Sequence, residues 1–115
     1  MATRPETIEE ILARTGDTVE LRPRKMFGEY GFYLGDRMVA LVCDDTLFVK
    51  DLPQCRELVG NLPLQPPYPG AKPHLVLAPE VQEREGLLAD LFRTLARILP
   101  APRPRTTKAK VRKEG

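Results

Sequence analysis

Few groups in this 115-residue chain could do chemistry. His74 is the single histidine, Cys43 and Cys55 are the two cysteines, and there is no serine. A Ser–His–Asp mechanism is thereby excluded, and every histidine-dependent route would have to pass through His74. A Cys–His pair from Cys43 or Cys55 with His74 is one reading, although nothing in the spacing favours it. The other is a surface histidine opening a strand after Pro73. Two cysteines and one histidine are too few for a structural zinc site, and in a reducing cytosol both thiols are expected free. Asp44-Asp45 lacks the alternating ligands of a calcium loop and suits a turn. No Walker motif or dinucleotide-type glycine loop occurs, and an anion at "FGEYG" would meet Glu29 instead of a lysine. No catalytic residue set, cofactor or metal is expected.

Two stretches remain as candidates. "KMFGEYGFY", residues 25–33, holds four of the seven aromatics and two glycines. It reads first as architecture, a bulge or tight bend between strands made from Lys25, Met26, Phe27, Gly28, Tyr30, Gly31 and Tyr33. The alternative is a recognition surface built on Tyr30 and Tyr33. The second stretch is residues 101–115, where Arg103, Arg105, Lys108, Lys110, Arg112 and Lys113 face Glu114 alone, a net charge of +5. The other hundred residues carry 12 bases and 15 acids, a net of −3, so the basic character belongs to the tail. Those six bases could meet nucleic-acid phosphates without sequence preference, since no aromatic stands among them to stack on a base.

The elements that position these residues can be read from periodicity. Thr3-Arg4-Pro5-Glu6 resembles a capping box ahead of a short helix with Ile8, Ile11 and Leu12 on its apolar side. Residues 18–27 alternate as a strand, broken or bulged at Pro23, with the proline arguing for an edge or a bend. Strands over 30–34, 37–43 and 46–50 follow, joined at Gly35-Asp36 and Asp44-Asp45, the first suiting a type II′ turn. "MVALVC" is uncharged on both faces, as in a strand covered by two layers or by a second subunit. A short helix follows Asp51 as its cap, with Pro53 in its first turn and Gly60 past its end. Five prolines in residues 61–73 exclude a regular element there. A strand over 74–78 precedes one long amphipathic helix over 80–99, packed through Leu88, Leu91, Leu95 and Ile98. The fold class is therefore α+β: an antiparallel sheet of about five strands flanked by N-terminal and C-terminal helices. One domain, residues 1–100, precedes a basic, proline-containing tail, residues 101–115, expected to lack a core of its own.

Residues 24–50, "RKMFGEYGFYLGDRMVALVCDDTLFVK", resemble the N-terminal domain of the TfoX/Sxy proteins, bacterial regulators of competence for DNA uptake. The likeness rests on Lys25-Met26-Phe27-Gly28, Tyr30-Gly31, the tyrosine-ended strand, the Gly-Asp hairpin and the Asp-Asp-Thr-Leu turn, and it extends more loosely over residues 1–99. It implies a small module related to secretion-chaperone-like folds, often paired as dimers and linked to transcriptional activation beside a cyclic-AMP receptor protein. No catalytic residues come with it. The sequence thus predicts a non-enzymatic, cytoplasmic regulatory or adaptor module with a protein partner, pairing as a homodimer and independent of membrane and metal. The competing expectation is weak, sequence-indifferent nucleic-acid binding through the tail.

Overall fold

In the computed structural model, which describes residues 3–26 and 29–100, the order is α1 (Pro5–Thr15), β1 (Leu21–Met26), β2 (Glu29–Leu34), β3 (Arg37–Cys43), β4 (Thr46–Lys50), α2 (Pro53–Val59), β5 (Leu64–Gln65), β6 (His74–Leu77), α3 (Pro79–Gln82) and α4 (Leu87–Ile98). The strands form one antiparallel sheet in the order β1-β2-β3-β4-β6-β5. The α+β class holds, with six strands where about five were expected. The additional one is Leu64–Gln65, inside the proline-rich stretch expected to be irregular. Its two residues lie between Pro63 and Pro66, so pairing with β6 asks little of the prolines themselves.

Pro23 does not break β1. The register runs continuously from Leu21↔Leu34 to Met26↔Glu29, and the strand tolerates the proline because it lies at the sheet edge. The irregularity is one strand further in, where Phe32 pairs with Ala40 and Tyr33 with Met38, leaving Val39 as the extra residue. The two hairpins after β2 have two-residue loops. Gly35 takes positive φ in the first, and Asp44 and Asp45 both do in the second, the signs expected of II′-like and I′-like turns.

One face of the sheet carries the core. Phe32, Val42, Leu47, Val49, Leu75 and Leu77 turn toward the helices, where they meet Ile8, Ile11, Cys55, Leu88, Leu91, Phe92 and Leu95. α4 is anchored through Leu88, Leu91 and Leu95 as the sequence indicated, whereas Ile98 is only partly buried. The expected long helix is two. Chain direction changes at Gly86, whose left-handed φ of 73° heads α4. The reason is local: residues 83–85 are all charged and the glycine supplies a conformation the helix cannot hold.

Two expected caps are also made differently. Arg4, not Thr3, is the N-cap residue of α1, and no side chain of its own segment caps it. Thr3 instead donates its hydroxyl to Glu29 Oε1 at 2.6 Å and accepts the Asp45 amide at 3.2 Å. Leu52 is the N-cap residue of α2, and Asp51 is drawn into a two-point ion pair with Arg56, at 2.6 and 2.9 Å. Pro53 and Gly60 sit at the two ends of α2 as expected.

Candidate functional site

Antiparallel pairing assigns each strand residue to a face, since directly opposed residues share one. On the face away from the core, one row reads Arg22–Tyr33–Met38. The next reads Arg24–Gly31–Leu41–Phe48–Val76, and a third Met26–Glu29 beside Cys43–Thr46. The bulge at Val39 brings this about. It turns both Val39 and Ala40 inward, so Met38 and Leu41 emerge on the same outer face although they are three positions apart.

This outer face is only partly covered. The segment after β5 crosses it with Pro67 buried and Tyr68 left 56% exposed. Between Tyr68 and the β1 edge lies a recess of about 520 Å³ lined by Met26, Glu29, Tyr30, Met38, Leu41, Cys43, Pro67 and Tyr68. Met38 is 40% exposed, a high value for a methionine in a central strand. Gly31 is the floor. A Cβ there would lie 2.8 Å from both the Met26 methyl and the Met38 sulfur, so the missing side chain lets two flexible thioethers close over the backbone.

A second cleft of about 420 Å³ lies along β1, lined by Arg22, Pro23, Arg24, Tyr33, Gly35 and Asp36. Arg22, Arg24 and Lys25 are exposed, and among the described residues no carboxylate stands within ion-pair distance of them. Most other arginines are committed. Arg4 pairs with Asp45, Arg14 with Glu10 and Glu83, Arg56 with Asp51, and Arg93 with Asp90. Arg37 pairs with Asp36 and donates to the Leu99 carbonyl at the end of α4.

The predicted site residues can now be placed. Met26, Gly31 and Tyr33 meet on the outer face, while Tyr30 packs partly buried against the core with Lys25 opposite it on β1. Phe27 and Gly28 lie outside the described residues, as do Arg103, Arg105, Lys108, Lys110, Arg112 and Lys113 of the tail. Gly31 does not make a turn. It sits mid-strand with no positive φ, and its neighbours are side chains, not backbone.

The possible Cys–His pair has no support. Cys43 lines the outer recess, Cys55 is fully buried in the core, and His74 places its Nδ1 2.8 Å from the Lys72 carbonyl. Burial pushes both thiols up, with Glu29 adding to the effect at Cys43 and Asp51 at Cys55. That is the reverse of what activates a cysteine nucleophile. Both cysteines are free, as expected. Among the described residues no group of three or more His, Cys, Asp or Glu is arranged to hold a metal ion, and no helix is long and apolar enough to cross a membrane.

The family model described as TfoX N-terminal domain matches residues 10–95. A Spirochaeta aurantia protein described as "Uncharacterized 12.7 kDa protein in trpE 5'region" is 36% identical over 110 residues, covering 96% of this chain and 95% of that relative. No solved structure matches the chain at a significant level.

Proposed function

The chain belongs to the TfoX N-terminal domain family, and from that premise we propose that it is a non-enzymatic regulatory or adaptor module. It acts by holding another protein on the outer face of its sheet, in transcriptional control of the kind associated with the family. One observation carries this reading: Met38, Leu41 and Tyr68 border an apolar recess that the fold leaves open, next to uncommitted arginines. A soluble domain gains nothing for its own stability by keeping such a surface wet, and contiguous apolar patches of this kind mark sites of association. The buried, unactivated thiols and the isolated His74 support a role without bond-making chemistry.

The test is genetic. A strain lacking the protein is complemented with the wild type or with Met38→Glu, which puts a charge in the recess at a position already exposed. The module reading expects Met38→Glu to fold and accumulate normally yet to reproduce the transcript changes of the deletion. Full complementation by Met38→Glu contradicts it.

A further inference from the structure

Resting on the reading that the outer face is a protein-docking surface, we infer that its partner is an acidic, amphipathic peptide segment. Its apolar side chains enter the methionine recess and its carboxylates reach Arg22 and Arg24. The two features are continuous. Arg22 pairs across to Tyr33, and Arg24 to Gly31, the glycine over which Met26 and Met38 close. An extended or helical segment lying over Met38 therefore passes within reach of both guanidinium groups. Arginine's planar fork suits carboxylates bidentately, and methionines adapt to apolar side chains of varied shape.

Charge complementarity selects this occupant over two others. A second copy of the chain would bring the same face, and that face has no free carboxylate to give. Glu29 is held by the Thr3 hydroxyl and the Asp44 amide, and Asp36 is paired with Arg37. Self-association would set Arg22 and Arg24 against apolar groups or against each other. Nor is the uncharged run Met38–Cys43 of β3 a reason to need a copy, since α4 covers one side of the strand and the Pro67 segment borders the other. A nucleic acid would meet the Glu29 carboxylate, which its neutral hydrogen-bond donors leave charged, at the recess, on a body whose net charge is −3. A few separate carboxylates can pass beside that acid, whereas a continuous phosphate chain is repelled by it.

The test uses the full chain and fluorescent 12-residue peptides in which leucine alternates with glutamate, glutamine or lysine, together with a 12-nucleotide single strand of DNA. Binding is read by anisotropy. The glutamate peptide is expected to bind at least ten times more tightly than the glutamine one, and the lysine peptide not at all. Arg22→Gln with Arg24→Gln should erase that preference with the basic tail intact, and Arg22→Glu with Arg24→Glu should transfer it to the lysine peptide. Circular dichroism confirms that these surface variants fold. Equal binding of the glutamate peptide by wild type and the double glutamine variant would assign the attraction to the tail and overturn the inference. So would DNA binding that depends on Arg22 and Arg24, or sedimentation of a dimer that Met38→Glu dissociates. The peptide and DNA failures leave the docking reading intact, because that reading stands or falls on complementation by Met38→Glu, whereas the dimer would assign the outer face to a second copy of the chain.

Discussion

Asp45 holds the first turn of α1 from forty-one positions away: its Oδ1 accepts the Arg4 amide at 2.8 Å. The same oxygen accepts the Thr7 hydroxyl at 2.8 Å, and Arg4 Nε lies 3.3 Å from Oδ2. A hairpin tip thus does what a local cap would otherwise do, and the helix becomes tied to the sheet. The Arg4 amide first, then the Thr7 hydroxyl, hold the Asp45 carboxyl below its ordinary value of 3.8.

Because the folded state lowers this carboxyl's pKa, its contribution is fully present above 3.8 and is lost as pH falls through the folded value. Asp45→Ala should lower the melting temperature at neutral pH. The gap from wild type should then narrow as the buffer is taken from about pH 7 to about pH 3. Thermal melts of both proteins across that range check it. A gap that stays constant would mean that the ionised carboxylate contributes nothing and the effect is one of shape.

Gly86 and Gly31 should respond to alanine for different reasons and by different amounts. Gly86 has open space around its Cα, so Gly86→Ala meets no clash, only the strain of a left-handed φ. A loss of about 1–2 kcal/mol is expected, with Gly86→Asn losing less. Gly31→Ala crowds only the flexible ends of Met26 and Met38, which can swing outward. Its cost should stay within about 1 kcal/mol, because alanine also removes the entropic penalty of a strand glycine. Urea unfolding of the three variants separates the two cases.

Leu91 is fully buried where α4 crosses the sheet. Leu91→Ala should cost about 2–5 kcal/mol, and Leu91→Asp more, by leaving an unpaired charge in the layer. An unchanged melting temperature for Leu91→Asp would remove α4 from the core.

Much of this architecture was legible in the sequence, for physical reasons. The period-3.6 pattern of Leu88, Leu91 and Leu95 gave the last helix, and alternation with Gly35 and Asp44-Asp45 gave the central hairpins. What misled was long-range. Thr3 looks like a local cap, but Glu29 and Asp45 compete for its hydroxyl from another element. Residues 80–99 read as one helix because charged residues at 83–85 are compatible with a helix surface, and the penalty at Gly86 is small enough for tertiary structure to override. The recess was invisible for a different reason. Its methionines, Leu41, Pro67 and Tyr68 come from three segments, and only a bulge aligns Met38 with Leu41. Tyr33 was flagged as a recognition residue and does face outward, beside Arg22, whereas Tyr30 packs partly against the core and also lines the recess.

The basic tail is expected to add a separate, generic affinity. Six bases without aromatics offer phosphate contacts alone, so duplex DNA binding should be weak and indifferent to sequence. With all six engaged, log K against log salt should approach a slope of about −5. Titrating DNA against the full chain and a variant ending at Pro100 checks this. Sequence-selective binding retained by the shortened chain would move the nucleic-acid site onto the sheet.

Whether a partner protein sits on the outer face can be read with a photo-crosslinking amino acid at position 38. The probe is placed there in the living cell, with a control probe at exposed Glu9 on α1. One discrete adduct with a different protein is expected from position 38, none from position 9, and the adduct should be lost when Arg22 and Arg24 become glutamine. Equal crosslinking from both positions, or an adduct at position 38 made only with the chain itself, would contradict it.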